Sequence, residues 1–194
     1  MILDLLMICH GSTKAWRRAH FPADEPLDRQ GLAGAGEAAA AMPFVRPALT
    51  SPARSARQTA AALGLAALPD DSLADCDYGR WSGQALADVA AVEPEAVAAW
   101  LARPDAAPHG GESLLALIDR TAAWLTARTE RRLVAVTHPA VLRAALVHVL
   151  GAPAAAFWRI DVAPLSTVEL RSDGRRWQLR SLAHPPPAAG KRRR

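Results

Sequence analysis

Two apolar runs that each end in a histidine constrain this 194-residue chain more than any other feature. Ile2 to Cys9 is nearly continuous in apolar residues and closes on His10-Gly11-Ser12-Thr13. Leu133 to Thr137 is a second such run and closes on His138-Pro139. Short runs without polar alternation are expected of strands buried on both faces. A helical pattern follows the second run to about Leu150, and an Ala-rich helix is expected from about Gln30 to Met42. In an open α/β sheet, strand-to-helix junctions lie at the carboxyl edge, where ligands bind. A helix N-terminus there supplies free N–H groups and a positive dipole for an anion. A third junction, Thr50-Ser51-Pro52, ends the strand candidate Phe44 to Leu49 and lies at the same edge if that strand is parallel. The pattern favours a phosphate-like ligand.

The remaining segments fit the same architecture. Residues 14–29 are polar and irregular, and Ser51-Pro52 reads as an N-cap with proline at N1, opening a helix to about Leu63. Residues 65–84 are broken by Pro69, Gly79 and Gly83. Ala85 to Val92 and Pro94 to Leu101 look helical, and an amphipathic helix follows Glu112-Ser113 to about Thr129. Trp158 to Val162 and Ser166 to Leu170 look extended. Ser172-Asp173-Gly174 is a hairpin turn leading into Trp177 to Leu182. The alternation implies an α/β chain: a three-layer α/β/α sandwich with a mostly parallel sheet and an antiparallel C-terminal hairpin. Residues 1–184 form the domain, and residues 185–194 are expected to be a disordered basic tail.

Charge narrows the partners. The net charge is +4 and the pI about 9.8, but Lys191, Arg192, Arg193 and Arg194 carry four positive charges by themselves. Residues 1–190 hold nineteen basic and nineteen acidic groups, so the body is neutral and neither a basic face nor a nucleic-acid partner is implied. Arg outnumbers Lys by 21 to 2 and Ala is abundant, as a GC-rich genome produces. No apolar run reaches the roughly 18–20 residues of a membrane span, and no basic segment precedes Met1 to Ile8 as a signal peptide requires. Cys9 and Cys76 are too few for a disulfide framework. A cytoplasmic bacterial protein that touches no membrane is the expectation.

Six segments in order resemble the histidine phosphatase superfamily, also called the phosphoglycerate mutase-like family. Ile8-Cys9-His10-Gly11-Ser12-Thr13 is similar to L-R-H-G-E-T, and Pro26-Leu27-Asp28-Arg29-Gln30-Gly31 to P-L-T-x-x-G. Residues 51–60 resemble S-P-L-x-R-A-x-Q-T-A, and residues 73–83 resemble L-x-E-x-D-F-G-x-W-E-G. Gly110-Gly111-Glu112-Ser113 matches G-G-E-S, and residues 136–143 resemble V-S-H-G-G-V-I-R. The resemblance covers about residues 2–182 and implies a short-branch member without a large cap insertion. α-Ribazole phosphatase-type and broad-specificity phosphatases belong to that branch. The implied chemistry is hydrolysis of a small phosphate monoester through a phosphohistidine. His10 is the implied nucleophile, Asp75 the acid and base, and His138 a partner of the phosphoryl group. Gly11 and Thr13 would help to cradle the phosphate. No cofactor and no metal is implied, the only partner expected is a small phosphorylated metabolite, and the oligomeric state is left open.

Four departures from that pattern bear on activity. Cys9 stands where the family has the arginine before its nucleophile, and Ser55 where it has its second phosphate-clamping arginine. Ser12 replaces a Glu, and Pro139 replaces a Gly. Losing one pre-organised donor typically costs about 10²–10³ in rate. Either neighbouring arginines replace the pair, or the chain is a weak or inactive pseudophosphatase that binds a phosphorylated metabolite or a protein partner. Arg17 and Arg18, on the loop after the nucleophile, are the preferred replacements. Arg54 is rotated about 100° from residue 55 on a helix and still in reach, whereas Arg57, at about 200°, points away. His20, His109, His148 and His184 and most tryptophans read as packing or surface residues, with Trp16 and His109 at the border of the pocket. A metal held by Cys9, His10, Cys76 and His138 lacks the close ligand pairs such sites show.

Overall fold

The computed structural model describes residues 2–42 and 47–184. The first half of the Phe44–Leu49 strand and the expected disordered tail lie outside the described residues. One six-stranded sheet organises the chain, in the spatial order β3 (Leu68–Pro69), β2 (Ala48–Thr50), β4 (Arg132–Thr137), β1 (Leu3–Cys9), β5 (Thr167–Ser172) and β6 (Trp177–Ala183). The first four are parallel to one another; β5 runs antiparallel to β1, and β6 antiparallel to β5. The β1–β4 register pairs Cys9 with Thr137, so His10 and His138 leave the sheet side by side. β2 is parallel to β4 with Thr50 opposite Val136, which brings Ser51 to the same edge.

Alternation along the strands feeds two layers. Leu5, Met7 and Cys9 of β1 face a core built with Leu117 and Leu125 of α6 (Leu114–Thr126) and Leu142 and Leu146 of α7 (Pro139–Val149). Ile8 of β1 and Val134 and Val136 of β4 face Ala56 and Ala60 of α3 (Arg54–Ala62) on the other side. Helices therefore cover both faces, as near-continuously apolar parallel strands require. α2 (Arg29–Ala38) lies beside α3 and is capped by Asp28, whose carboxylate accepts from the Gly31 amide at 2.7 Å. A Cβ on Gly31 would lie 2.2 Å from the Ser12 carbonyl oxygen, so only glycine lets α2 press against the turn after β1.

Several expected elements shift. The polar stretch 14–29 contains a four-residue helix, α1 (Lys14–Arg17), capped by Thr13. The helix expected to begin at Ser51-Pro52 begins at Arg54, because the Ser51 hydroxyl is drawn into the site and leaves Ala53 as a cap without a side-chain bond. Trp158–Val162 is not a strand; a 3-10 turn spans Ala154–Arg159, and Trp158 packs edge-on against Trp100 at 4.7 Å. Trp100 lies on α5 (Pro94–Ala102), which follows α4 (Leu86–Val92). Trp100, Phe21, Tyr78, Trp81 and His109 form a separate aromatic cluster, so those tryptophans serve packing.

Candidate active site

β1 and β4 bring His10 and His138 to within 5.0 Å between ring centroids, edge to face, and both are almost fully buried. His10 donates from Nδ1 to its neighbour's carbonyl, Gly11 O, at 2.7 Å, which leaves Nε2 as the ring's lone-pair nitrogen. Burial, then the neighbouring His138, pushes the His10 pKa down to about 4, so its imidazole is neutral at ordinary pH. His138 is the N-cap of α7, so the helix presents its N-terminal N–H groups and positive dipole at this point. Its Nε2 lies 2.8 Å from Ser51 Oγ. Its Nδ1 lies 3.3 Å from Asp75 Oδ2, close enough for charge attraction but without the alignment of a hydrogen bond.

Asp75 thus sits beside both histidines. Burial works to raise its pKa, but the attraction of His138 and His10 and the Cys76 amide at 2.9 Å outweigh it and hold the carboxyl below its usual range. Thr13 is buried; its hydroxyl accepts from the Trp16 amide and donates to Glu25 Oε1 at 3.0 Å. The Gly11 amide donates to Thr59 Oγ1 at 3.0 Å, and Thr59 in turn donates to the Ser55 carbonyl. Leu165 adopts the left-handed conformation (φ 64°), and its amide reaches the Cys9 and His10 carbonyls at 3.2 Å each. Backbone strain of this kind persists where surrounding structure over-determines it, here against the histidine turn.

The arginines fall differently from one another. Arg17 is committed to Asp28 and Gln30, whereas the side chains of Arg18 and Arg54 are exposed; the Arg54 amide is held by Asp24 at 2.7 Å. Arg57 is exposed as well. Among the described residues, no guanidinium hydrogen-bonds or pairs with the side chain of His10, Asp75 or His138, although Arg120 donates to the Asp75 backbone carbonyl at 3.2 Å. Cys9 is 0% exposed and faces the α6–α7 core, its thiol pushed up by burial and then by Asp75. Ser55 is buried in the first turn of α3. Ser12 donates to Asp28 at 2.8 Å, a hydroxyl and a carboxylate at the two positions where the resembling motifs carry Glu and Thr. Sequence reasoning missed Ser51, Thr59 and Glu25, whose roles depend on partners 87, 48 and 12 residues away.

With this geometry in place, the comparisons with known proteins are decisive at the level of family. The model of branch 1 of the histidine phosphatase superfamily matches residues 5–185, and the chain belongs to that superfamily. Glucosyl-3-phosphoglycerate phosphatase of Mycolicibacterium vanbaalenii is 34% identical over 170 residues, 77% of this chain and 75% of that protein. The solved mycobacterial glucosyl-3-phosphoglycerate phosphatase, in complex with VO3, superposes with a TM-score of 0.78 at 27% identity, covering 92% of this chain and 97% of that one. An Escherichia coli structure provisionally named an α-ribazole-5′-phosphate phosphatase shares the fold with a TM-score of 0.83 at 22% identity, over 94% and 96% of the two chains. Three relatives from Mycobacterium bovis and Mycobacterium tuberculosis are 29% identical over 185 residues, 88% of this chain. The chain spans about half of their length, 51%. Among the described residues, no helix is long and apolar enough to cross a membrane, and no group of three or more His, Cys, Asp or Glu is placed to hold a metal ion.

Proposed function

We propose that the chain hydrolyses a small phosphate monoester through a phosphohistidine on His10. The observation that carries the reading is the fixed tautomer of a buried, neutral His10, with His138 edge-on against it and Asp75 against His138. His10 Nε2 attacks phosphorus in line and the bond to the leaving oxygen breaks. The carboxyl of Asp75 gives its proton to that oxygen. Water then attacks the phosphohistidine, returning a proton to Asp75 and releasing inorganic phosphate. Asp75 is ionised before substrate arrives; a phosphate dianion beside it repels the carboxylate and favours the protonated form. His138, Gly11 and Thr13 surround the transferring group, and the N-terminus of α7 contributes its dipole. Arg18 and Arg54, whose side chains are exposed, remain able to close on a bound phosphate; Arg17 would first have to leave Asp28.

One observation favours a second reading, a pseudophosphatase that binds a phosphorylated metabolite or a protein without turnover: the absence of guanidinium contacts to the three central side chains, among the described residues. Hydrolysis of p-nitrophenyl phosphate, with His10→Ala as control and acid-labile phosphate trapped on the protein, separates the two. Turnover with trapped label supports the hydrolase; rates equal to the control across several esters leave the pseudophosphatase.

A further inference from the structure

The neutral total charge of the body conceals a strong segregation. Three cavities lie where β1, β4 and β6 begin and β5 ends, at the pole opposite the histidines, and seven arginines against three carboxylates line them. Two of the seven are paired: Arg171 with Asp4 at 2.7 Å, and Arg128 with Glu130 at 3.3 Å. One cavity, of about 260 Å³, is different. Arg128, Arg175, Arg176 and His148 line it together with Trp177, and no carboxylate does.

The walls of that cavity are fixed by hydrogen bonds that leave its cations available. In the β5–β6 turn, Asp173 accepts from the amides of Arg175 (2.8 Å) and Arg176 (3.0 Å), and Ser172 Oγ accepts from Gly174 N at 3.0 Å. Gly174 supplies the left-handed residue the turn needs (φ 90°). The Trp177 indole is anchored to the Leu125 carbonyl at 3.2 Å. The C-termini of α6 and α7 approach the cavity, and their carbonyl dipoles oppose an anion. Arg128 offsets that at α6, donating to the Trp124 carbonyl at 3.0 Å, and His148 stands in the last turn of α7. Arg175 and Arg176 are therefore in surplus: both are exposed, and neither pairs with a carboxylate among the described residues.

We propose that this cavity is an anion site, separate from the histidine site, for a small molecule carrying a di- or triphosphate chain. Two free guanidiniums and a third that can turn from Glu130 match several phosphate groups better than one, because Arg binds phosphate oxygens in a planar fork. The chain could belong to inorganic polyphosphate or to a nucleotide.

Titration of wild-type protein and of His10→Ala with tripolyphosphate and with ATP, at low fixed salt and read by tryptophan fluorescence and calorimetry, tests this. Both proteins are expected to bind with equal affinity, and Arg175→Ala/Arg176→Ala to bind at least tenfold more weakly while keeping its melting temperature and the kcat of any phosphatase activity. That double variant retains residues 191–194, so its loss cannot be assigned to the basic tail. Equal affinity for both ligands identifies the phosphate chain as the recognised group; tighter binding of ATP identifies a nucleotide. Undiminished binding by the double variant, loss of binding in His10→Ala, or binding of an RNA oligonucleotide with neither small ligand overturns the proposal.

Discussion

His10 carries two consequences of its burial. Its pKa in the fold is about 4 against 6.5 as a free side chain, so between those values the unfolded chain binds more protons than the folded one. Stability therefore rises with pH across that window, by roughly 3 kcal/mol in all, and is complete above 6.5. Denaturation at pH 4.5 and pH 7 should show this rise in wild type and a smaller one in His10→Asn. If the neutral imidazole is the nucleophile as proposed, phosphatase activity should likewise lose its acid limb near pH 4, not near 6.5, in a pH profile of kcat/KM. The two substituted arginine positions separate in the same way. Ser55→Arg restores a cation in the first turn of α3 and should raise kcat/KM on p-nitrophenyl phosphate by about 10²-fold. Cys9→Arg puts a charge into the α6–α7 core at a site with no exposure, and should cost on the order of 3 kcal/mol or more in urea denaturation with no gain in rate. His10, Asp75 and His138 were legible in the sequence because each follows or sits within a local motif. Ser51 was readable only as a helix cap, since its partner His138 is 87 residues away and no spacing rule reports that contact.

The elements that hold the site are joined by close backbone approach more than by side chains. β1 and β4 read clearly from their apolar runs, and their parallel pairing agrees with burial on both faces. The alternation Trp158-Arg159-Ile160-Asp161-Val162 imitates a strand, yet Phe157 lies in the core beside α7, Arg143 donates to the Ile160 carbonyl at 2.8 Å, and the segment coils instead. Tertiary contact overrides a period of two when no neighbouring strand is free to pair. The contact of α2 with the turn after β1 rests on Gly31, where a Cβ would collide with Ser12 at both its amide nitrogen (2.7 Å) and its carbonyl oxygen (2.2 Å). Because those atoms are backbone, relief requires the α2 start or the His10 turn to move. Gly31→Ala should therefore lower stability by about 2 kcal/mol or more and weaken vanadate binding at least fivefold, whereas Gly36→Ala, with open space around it, should leave both unchanged. Equal behaviour of the two variants in denaturation and vanadate titration would show that the approach is not what positions the histidine turn.

At the scale of the whole molecule, charge is arranged along the strand axis. The histidine edge gathers Asp75 and Glu25 around the two imidazole rings, while the far pole gathers most of the sheet's arginines. β1 links the two ends with seven residues, which at about 3.3 Å each separates them by roughly 20 Å. The screening length is about 8 Å at physiological ionic strength and about 30 Å at 0.01 M. The polar arginines are thus electrically remote from the histidines in ordinary salt and within range at very low salt. A dianionic ester approaching at low salt is drawn towards the pole as well as towards the histidine edge, so the pole competes with the site for the encounter. Arg175→Ala/Arg176→Ala should accordingly leave kcat/KM within twofold of wild type at 0.15 M salt and change it more at 0.01 M, with kcat unaffected at both. A fall in kcat at 0.15 M would mean that the pole and the histidine edge are coupled through the sheet itself and not through the field, since at that separation screening leaves the field too little strength to act.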